Sequence, residues 1–279
     1  MSHIEVKNSP TKKSLALKLG IARSSLYYRH KQKLKDWQLK IKIEEALHDW
    51  PSYGHKRLAR YLKINKKRIL RVMKLFGIKP YRRRGKRPWK KPRNEGLSFP
   101  NLLLNLFPSG LNQIWVSDFT YLKFKGKFVY LATIMDLFNR EIVGFSVMTG
   151  HNTNLIISAL LSAVNLRAPP DILHSDHGRE YTSKIYTTLV SMFGIRISMS
   201  RPGCPWENGY QESFYNQFKV DLGDPNRFDN LGELTAEIYQ TIYCYNTQRI
   251  HTSLKMAPRE YAILKSSINS GYQIREKVS

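Results

Sequence analysis

Three acids stand where their type and spacing suit chemistry. Asp118 interrupts a β-branched and aromatic run, WVSDFTYL, in which a carboxylate is costly unless it faces a cleft or binds something. Asp176 follows the short apolar stretch DILHS and opens the loop DHGREYTS, so it stands where a strand ends. Glu212 lies in ENGYQESFYNQFK. On a helix, Asn208, Glu212 and Lys219 fall close together, while Tyr210, Phe214 and Phe218 lie about 100° to 180° away. The apolar side should dock on a sheet. The other side then offers a carboxylate, an amide and an ammonium, groups suited to a metal, a phosphate and a base. Ligands of mixed sheets gather at strand ends, so Asp118 and Asp176 converge if their strands are neighbours; the sequence alone leaves that open.

The rival acids have plainer uses. Glu180, four residues past Asp176, reads as solvated or DNA-adjacent, Asp136 as a turn cap, and Glu207 as a charge at a helix N-terminus. His174 and His177 flank Asp176 too tightly for a tetrahedral zinc site, and no cysteine stands near. We read His174 as strand packing, His177 as a contact to a phosphate or the attacking water, and His251 as packing or DNA-facing. Lys219 is either a phosphate contact or a solvated lysine.

The elements that must carry these residues are strands first. IWVSDFTYLKF (114–124), GKFVYLATIMDLF (126–138) and REIVGFSVMT (140–149) predict three antiparallel strands, with turns at Lys125-Gly126 and Asn139-Arg140. A helix over 154–166, a short buried strand over 171–175, a helix over 183–193 and a strand over 195–200 follow. Helices near 208–220 and 231–246 close the chain. A meander followed by alternating helix and strand makes a mixed α/β sheet with helices packed on it.

Charge divides the chain. Residues 1–93 hold 29 Lys and Arg against 5 Asp and Glu, a balance of +24, whereas the rest totals +1 of the overall +25. A polyanion is the natural partner, because basic side chains that neutralise phosphates release condensed counterions. Residues 11–30 read as helix, Gly20 turn, helix, with Leu15, Leu19, Ile21, Leu26 and Tyr27 turned inward. A second helical set covers 36–50, 54–63 and 66–78. In its last helix Ile69, Val72, Met73 and Phe76 recur at helical spacing and leave Arg68 and Arg71 on other faces, able to enter a major groove. Two small bundles with solvated basic faces are the bland alternative. The tail YRRRGKRPWKKPR then presents Arg82, Arg83, Arg84, Lys86, Arg87, Lys90 and Lys91 with no acid, an extended strip that tracks phosphates.

Other classes are disfavoured. No apolar run approaches the roughly 20 residues of a membrane span, and the N-terminus lacks the apolar core of a secretory signal, so a cytoplasmic, nucleoid-associated protein is expected. Two cysteines, Cys204 and Cys244, cannot build a disulfide framework.

The segments WVSDFTYL, MDLFNREIVGF, HSDHGREYTS, RPGCPWENGYQESFYNQFK and YNTQRIHTSLKMAP together resemble the insertion-sequence transposases of the OrfB type, in the IS-three family, relatives of retroviral integrases. The resemblance runs from about residue 12 to 262, with Glu207-Asn208 standing where Asp-Asn is common. It implies a ribonuclease H-like core with metal-binding acids at Asp118, Asp176 and Glu212, the last two separated by the family's 35 intervening residues. It also implies two Mg²⁺ ions, replaceable by Mn²⁺, about 3.5 to 4 Å apart for an in-line displacement on double-stranded DNA. Expected partners are further copies of the chain on DNA and an upstream-frame OrfA protein that supplies a leucine zipper. The expected domains are a helix-turn-helix over 1–32, a second helical domain over 33–80, a basic linker over 81–107, the core over 108–268 and a tail over 269–279. The alternative function is a DNA-binding regulator with a catalytically silent core.

Overall fold

The computed structural model describes residues 11–27, 32–81, 99–104, 106–201 and 205–276. Its centre is the predicted meander: β1 (Ile114–Phe124), β2 (Lys127–Asp136) and β3 (Ile142–Met148), paired antiparallel. Lys125 and Gly126 both take positive φ, the geometry that lets two residues reverse the chain between twisted strands. At the far end Asp136 caps the link to β3, as expected, accepting the amides of Asn112 and Phe138 at 2.7 and 2.8 Å. β4 (Ile172–Ser175) lies parallel to β1, and β5 (Arg196–Met199) parallel to β4. The sheet order is β3-β2-β1-β4-β5, the mixed sheet expected of a ribonuclease H-like core.

Alternation along β1 sends its side chains to two cores. Trp115 packs with α5 (Thr153–Val164) and α6 (Lys184–Met192) on one face. Ile114 and Val116 pack with α7 (Gly209–Leu222) and α8 (Leu231–Thr247) on the other. Gly144 lets α5 press onto β3: a Cβ there would stand 2.5 Å from the Ala159 carbonyl oxygen. Among the described residues, no helix is long and apolar enough to cross a membrane.

The chain ends differently from expectation. A further helix, α9 (Pro258–Glu276), follows α8, and the boundary placed at 268 falls inside it. Pro258 sits at its first position, where a missing amide costs nothing. Arg259 anchors it on Glu141, a buried carboxylate that also binds Arg167 at the end of α5, each at 2.8 Å. Ser266, Ser267, Ser270 and Gly271 blur the helical signal in the sequence.

The N-terminal third forms two unequal parts. α2 (Gln32–Asp49), α3 (His55–Tyr61) and α4 (Lys66–Leu75) share a core of Leu39, Ile43, Tyr53, Leu58, Ile69 and Val72, as the periodicity predicts. Before them, α1 (Lys12–Lys18) reaches a turn at Gly20 and only a 3-10 turn at Arg23–Tyr27, where a second helix was expected. Of α1 only Ala16 is buried, and Leu15, Leu19 and Ile21 are exposed. So short a helix cannot cover an apolar face by itself. Residues 99–104, assigned to the linker, lie against the core instead: the Pro100 carbonyl accepts the Met199 amide and the Leu102 amide donates to Ser198.

Candidate active site

The parallel pairing of β1 with β4 settles the adjacency that the sequence left open. Val116 is opposite His174, and two residues further along each strand come Asp118 and Asp176. Alternation puts Asp118 on the α7 side of the sheet, like Val116. Both carboxylates are partly buried and hold backbone amides: Asp118 accepts from Phe119 at 2.8 Å, Asp176 from Gly178 at 2.9 Å. Burial pushes the Asp176 carboxyl up, and the nearby Glu180 adds to the shift. Their fields overlap on two buried tyrosines. Burial raises the hydroxyls of Tyr181 and Tyr215, and the charges of both Asp118 and Asp176 add to each shift.

α7 is fastened along β1 by three side chains one turn apart. Gln211 donates to the carbonyls of Val116 (2.7 Å) and Thr133 (3.3 Å), Tyr215 to the carbonyl of Asp118 (2.6 Å), and Lys219 to that of Tyr121 (2.9 Å). From Gln211 to Tyr215 the steps match, because four helix residues rise about 6 Å and two strand residues about 6.6 Å; the long Lys219 side chain spans the wider step of three strand residues to Tyr121. Glu212 adjoins Gln211 in the first turn of this helix, with its side chain exposed. Among the described residues, no three His, Cys, Asp or Glu side chains stand close enough to hold a metal ion. The fold therefore brings Asp118 and Asp176 together and leaves the Glu212 carboxylate outside their group, on the helix clamped to the same strand. Carboxylate oxygens on adjacent strands are a donor set that fits a hard divalent cation.

The expected stripe of Asn208, Glu212 and Lys219 does not form. Asn208 belongs to the 3-10 turn at Pro205–Asn208, where the 100° stepping fails, and it is buried, its Oδ1 lacking a hydrogen-bond partner among the described residues. Lys219 is engaged with the Tyr121 carbonyl and lies 5.2 Å from that ring centroid. The docked face is also shifted: Gln211, Phe214, Tyr215, Phe218 and Leu222 are buried, while Tyr210 is exposed beneath the Arg140 guanidinium.

Other expectations resolve individually. His174 is packing: wholly buried, bonded through Nδ1 to Ser198 at 2.8 Å and pushed down to about 4 by burial. His177 is partly buried, with Nε2 lacking a hydrogen-bond partner among the described residues. Glu180 is not solvated; it is half-buried, beside Asp176 and 3.6 Å from His151. Glu207 does not simply charge a helix end, because it accepts from Asn101 and from the backbone and side chain of Arg201. Burial opposes its ionisation, yet those bonds hold it below the usual range. Arg68 is exposed on α4, whereas Arg71 makes a two-pronged pair with buried Asp36. Arg82, Arg83, Arg84, Lys86, Arg87, Lys90 and Lys91 lie outside the described residues.

Sequence reasoning missed Arg249. It is 1% exposed and binds Asp221 and Gln217 of α7 and Ser52 of the helical module, at 2.5, 2.6 and 2.6 Å. Arg57 of α3 reaches the same Gln217, and Tyr53 accepts the Ile250 amide. The outer side of α7 thus carries the docked module. Its only sequence signal is an arginine in TQRIHTSL beside an apolar residue.

Comparison with known proteins agrees with this architecture. A family model described as an integrase core domain matches residues 108–205, and a second of the same description matches 193–258. The transposase for insertion sequence element IS904 of Lactococcus lactis is 33% identical over 242 residues, covering 83% of this chain and 96% of that protein. The putative transposase InsK for insertion sequence element IS150 of Escherichia coli is 31% identical over 255 residues, covering 86% and 89%. Among solved structures, the HTLV-2 integrase catalytic core domain in complex with magnesium is similar with 21% identity and a TM-score of 0.44, over 55% of this chain and 98% of that one. With carboxylates on two adjacent strands, a glutamate on the helix packed against them, an integrase core match and relatives of this similarity covered over most of their length, the chain belongs to the insertion-sequence transposases of the IS-three family, polynucleotidyl transferases of the DDE type that act in DNA transposition.

Proposed function

We propose that Asp118, Asp176 and Glu212 are the metal-binding acids of this transposase and that they hold two Mg²⁺ ions, with Mn²⁺ able to substitute. The observation that carries this reading is the register of β1 against β4, which sets Asp118 beside Asp176, with α7 clamped to β1 on either side of Glu212. Glu212 is exposed in the first turn of α7 and makes no hydrogen bond or ion pair with the described residues, so its carboxylate is uncommitted. Divalent ions, when bound, supply activation of the attacking oxygen and stabilisation of the leaving one.

The chain's own residues hold the carboxylates in place. Gly178 and Phe119 donate to them, and Gln211 and Tyr215 prevent α7 from drifting along β1. In the first step water attacks a phosphodiester at the element end; the bond from phosphorus to the 3′ oxygen breaks, leaving a 3′-OH and a 5′-phosphate. In the second, that 3′-OH attacks another phosphodiester, forming one bond and breaking one, so no cofactor energy is consumed. Joining of the two ends gives an intermediate later integrated as a circle.

The partners in this reading are duplex DNA, further copies of the chain assembled on it, and an OrfA-type upstream protein that supplies end pairing. The setting is the bacterial cytoplasm, at the nucleoid. A strand-transfer assay with candidate end duplexes, run with Mg²⁺, with Mn²⁺ and with a chelator, tests the proposal. Cleavage and joining in either metal and neither in the chelator are expected. Metal-independent activity, or DNA binding with no cleavage of any end, contradicts it.

A further inference from the structure

A cavity of about 140 Å³ opens beside α7, lined among others by Arg140, Tyr210, Ser213, Gln217, His251 and Ser253. Two of its nitrogens are buried and lack hydrogen-bond partners among the described residues: Arg140 Nη1 and His251 Nδ1. A buried guanidinium N–H left unbonded is costly, so such an atom marks a place where a ligand completes the set. The lining contains no carboxylate.

The arginine is held in place for this role. Its backbone takes a left-handed φ of 64°, its amide donates to Asp136 and its carbonyl accepts from Tyr245. Its guanidinium lies 4.0 Å from the centroid of Tyr210, a ring contact that occupies the face of the group and none of its N–H donors, and both residues line the cavity. His251 sits in a closed loop, its amide accepted by Met256 and its carbonyl accepting from Lys255. Burial, with the charges of Arg140, Arg249 and Arg57 nearby, lowers its pKa to about 4, so the ring is neutral and donates from one nitrogen. Arg140 is the charged residue of the lining, and Arg249 and Arg57 act on His251 from nearby. A compact anion with several acceptor oxygens satisfies the Arg140 guanidinium, His251 in its Nδ1–H tautomer and the hydroxyls of Ser213 and Ser253. A cation or an apolar ligand does not.

We infer that this cavity is a phosphate-ester site, in which Arg140 and His251 grip one backbone phosphodiester of bound DNA. Its position gives the contact a purpose. Ser213 is the residue after Glu212, and Gln217 is the residue that Arg249 and Arg57 use to dock the helical module. A phosphate seated here places the duplex across α7, between the basic module and the catalytic acids. This inference rests on the DNA-processing function proposed above, and it adds a positioning contact outside the acid cluster.

The test is equilibrium binding of the full chain to an end-containing duplex, in chelator so that no cleavage occurs, at several salt concentrations. One lost phosphate contact lowers the slope of log affinity against log salt by about 0.9. Arg140→Gln and Ser253→Asp are each expected to lower the slope by about that amount and weaken binding, while Arg140→Lys keeps the slope. Ser253 is exposed, so its variant stays informative if Arg140→Gln does not fold. Folded variants with wild-type slope and affinity overturn the inference. A free-phosphate site is distinguished by melting in inorganic phosphate against chloride at matched ionic strength: a phosphate-specific rise that Arg140→Gln abolishes, without any change in DNA slope, overturns the DNA assignment. Failure of the wild type itself to bind duplex overturns the broader DNA reading instead.

Discussion

Asp118 and Asp176 differ from Glu212 in how they are held. The two aspartates sit on neighbouring strands, half-buried and bonded to backbone amides, whereas the glutamate is exposed on a helix and bonded to no described residue. The difference lies in the side chains alone, because the helix backbone is as firmly placed as the strands: Gln211 and Tyr215 tie α7 to β1 on both sides of Glu212. In the metal site proposed above, two ligands are therefore preset by the sheet and the third comes from the exposed face of α7. A site built this way keeps three carboxylates from crowding together before a cation is present to offset their repulsion.

The largest expected effect breaks that comparison by removing any one acid. Asp118→Asn, Asp176→Asn and Glu212→Gln should each reduce cleavage and joining by more than about a hundredfold, roughly 2.7 kcal/mol of barrier, because a neutral amide is a weak ligand for a hard cation. DNA affinity in gel shifts should stay near wild type. If Glu212→Gln kept more than a few per cent of activity, the exposed glutamate would not be the third ligand.

The second prediction concerns the other side of the same helix. Arg249 is buried between α7 and the helical module, with Asp221 as its charged partner. Arg249→Met leaves Asp221 buried and unpaired, which should cost about 3–5 kcal/mol of stability in urea titrations. A double variant that also makes Asp221→Asn should recover part of that loss. An unchanged urea midpoint in Arg249→Met would mean that the module is not held through this contact.

A third effect is set by pH. His174 is buried with its pKa lowered to about 4, against an ordinary value near 6.5. Above 6.5 both folded and unfolded states are neutral there and its contribution is complete. As pH falls from about 6.5 to about 4 the unfolded state takes up the proton first, so stability falls; below about 4 the loss levels off. The sum over this window is on the order of 3 kcal/mol for His174. His251 adds in the same sense, since its pKa is also lowered to about 4. Urea midpoints at pH 7 and pH 4.5 measure the slope, and His174→Gln, which can keep a bond to Ser198, should flatten it.

What the sequence made legible follows from which forces are local. Strand and helix order was readable because β1, β2, β3 and the apolar helices carry periods of two and 3.6 that survive folding unchanged. Asp118 and Asp176 stood out in the sequence as acids within and just after strand patterns. The β1–β4 adjacency was not readable, because no residue in DILHS states which strand it will join. Nor was Arg249: its burial depends on Ser52 and Asp221, 197 and 28 residues away. The face of α7 was misjudged by one residue for a related reason. Gln211 looks polar in sequence, yet it is wholly buried because β1 and β2 offer it two carbonyls. Tyr210 looks apolar and is left outside, where Arg140 covers it.

The smallest expected effect sharpens the same contrast between acids. Glu180 is nearer to Asp176 than its place in a loop suggested, and its charge adds to the rise that burial imposes on that carboxyl. It therefore competes with Glu212 for the role of third ligand on proximity alone. Geometry argues against it. Glu180 is already paired with His151 at 3.6 Å and half-buried, so turning to a metal would give up that contact, while Glu212 gives up none. Glu180→Gln keeps the shape, removes a repulsion on Asp176 and should leave cleavage and joining within about twofold of wild type, the scale of a surface change of under about 0.5 kcal/mol. Glu212→Asp supplies the complement: it keeps the charge but shortens the reach by one methylene, so it should fall between wild type and Glu212→Gln and respond more steeply to Mg²⁺ concentration. A folded Glu180→Gln without activity, beside an active Glu212→Gln, would exchange the two glutamates and make the loop acid, not the helical one, the third ligand.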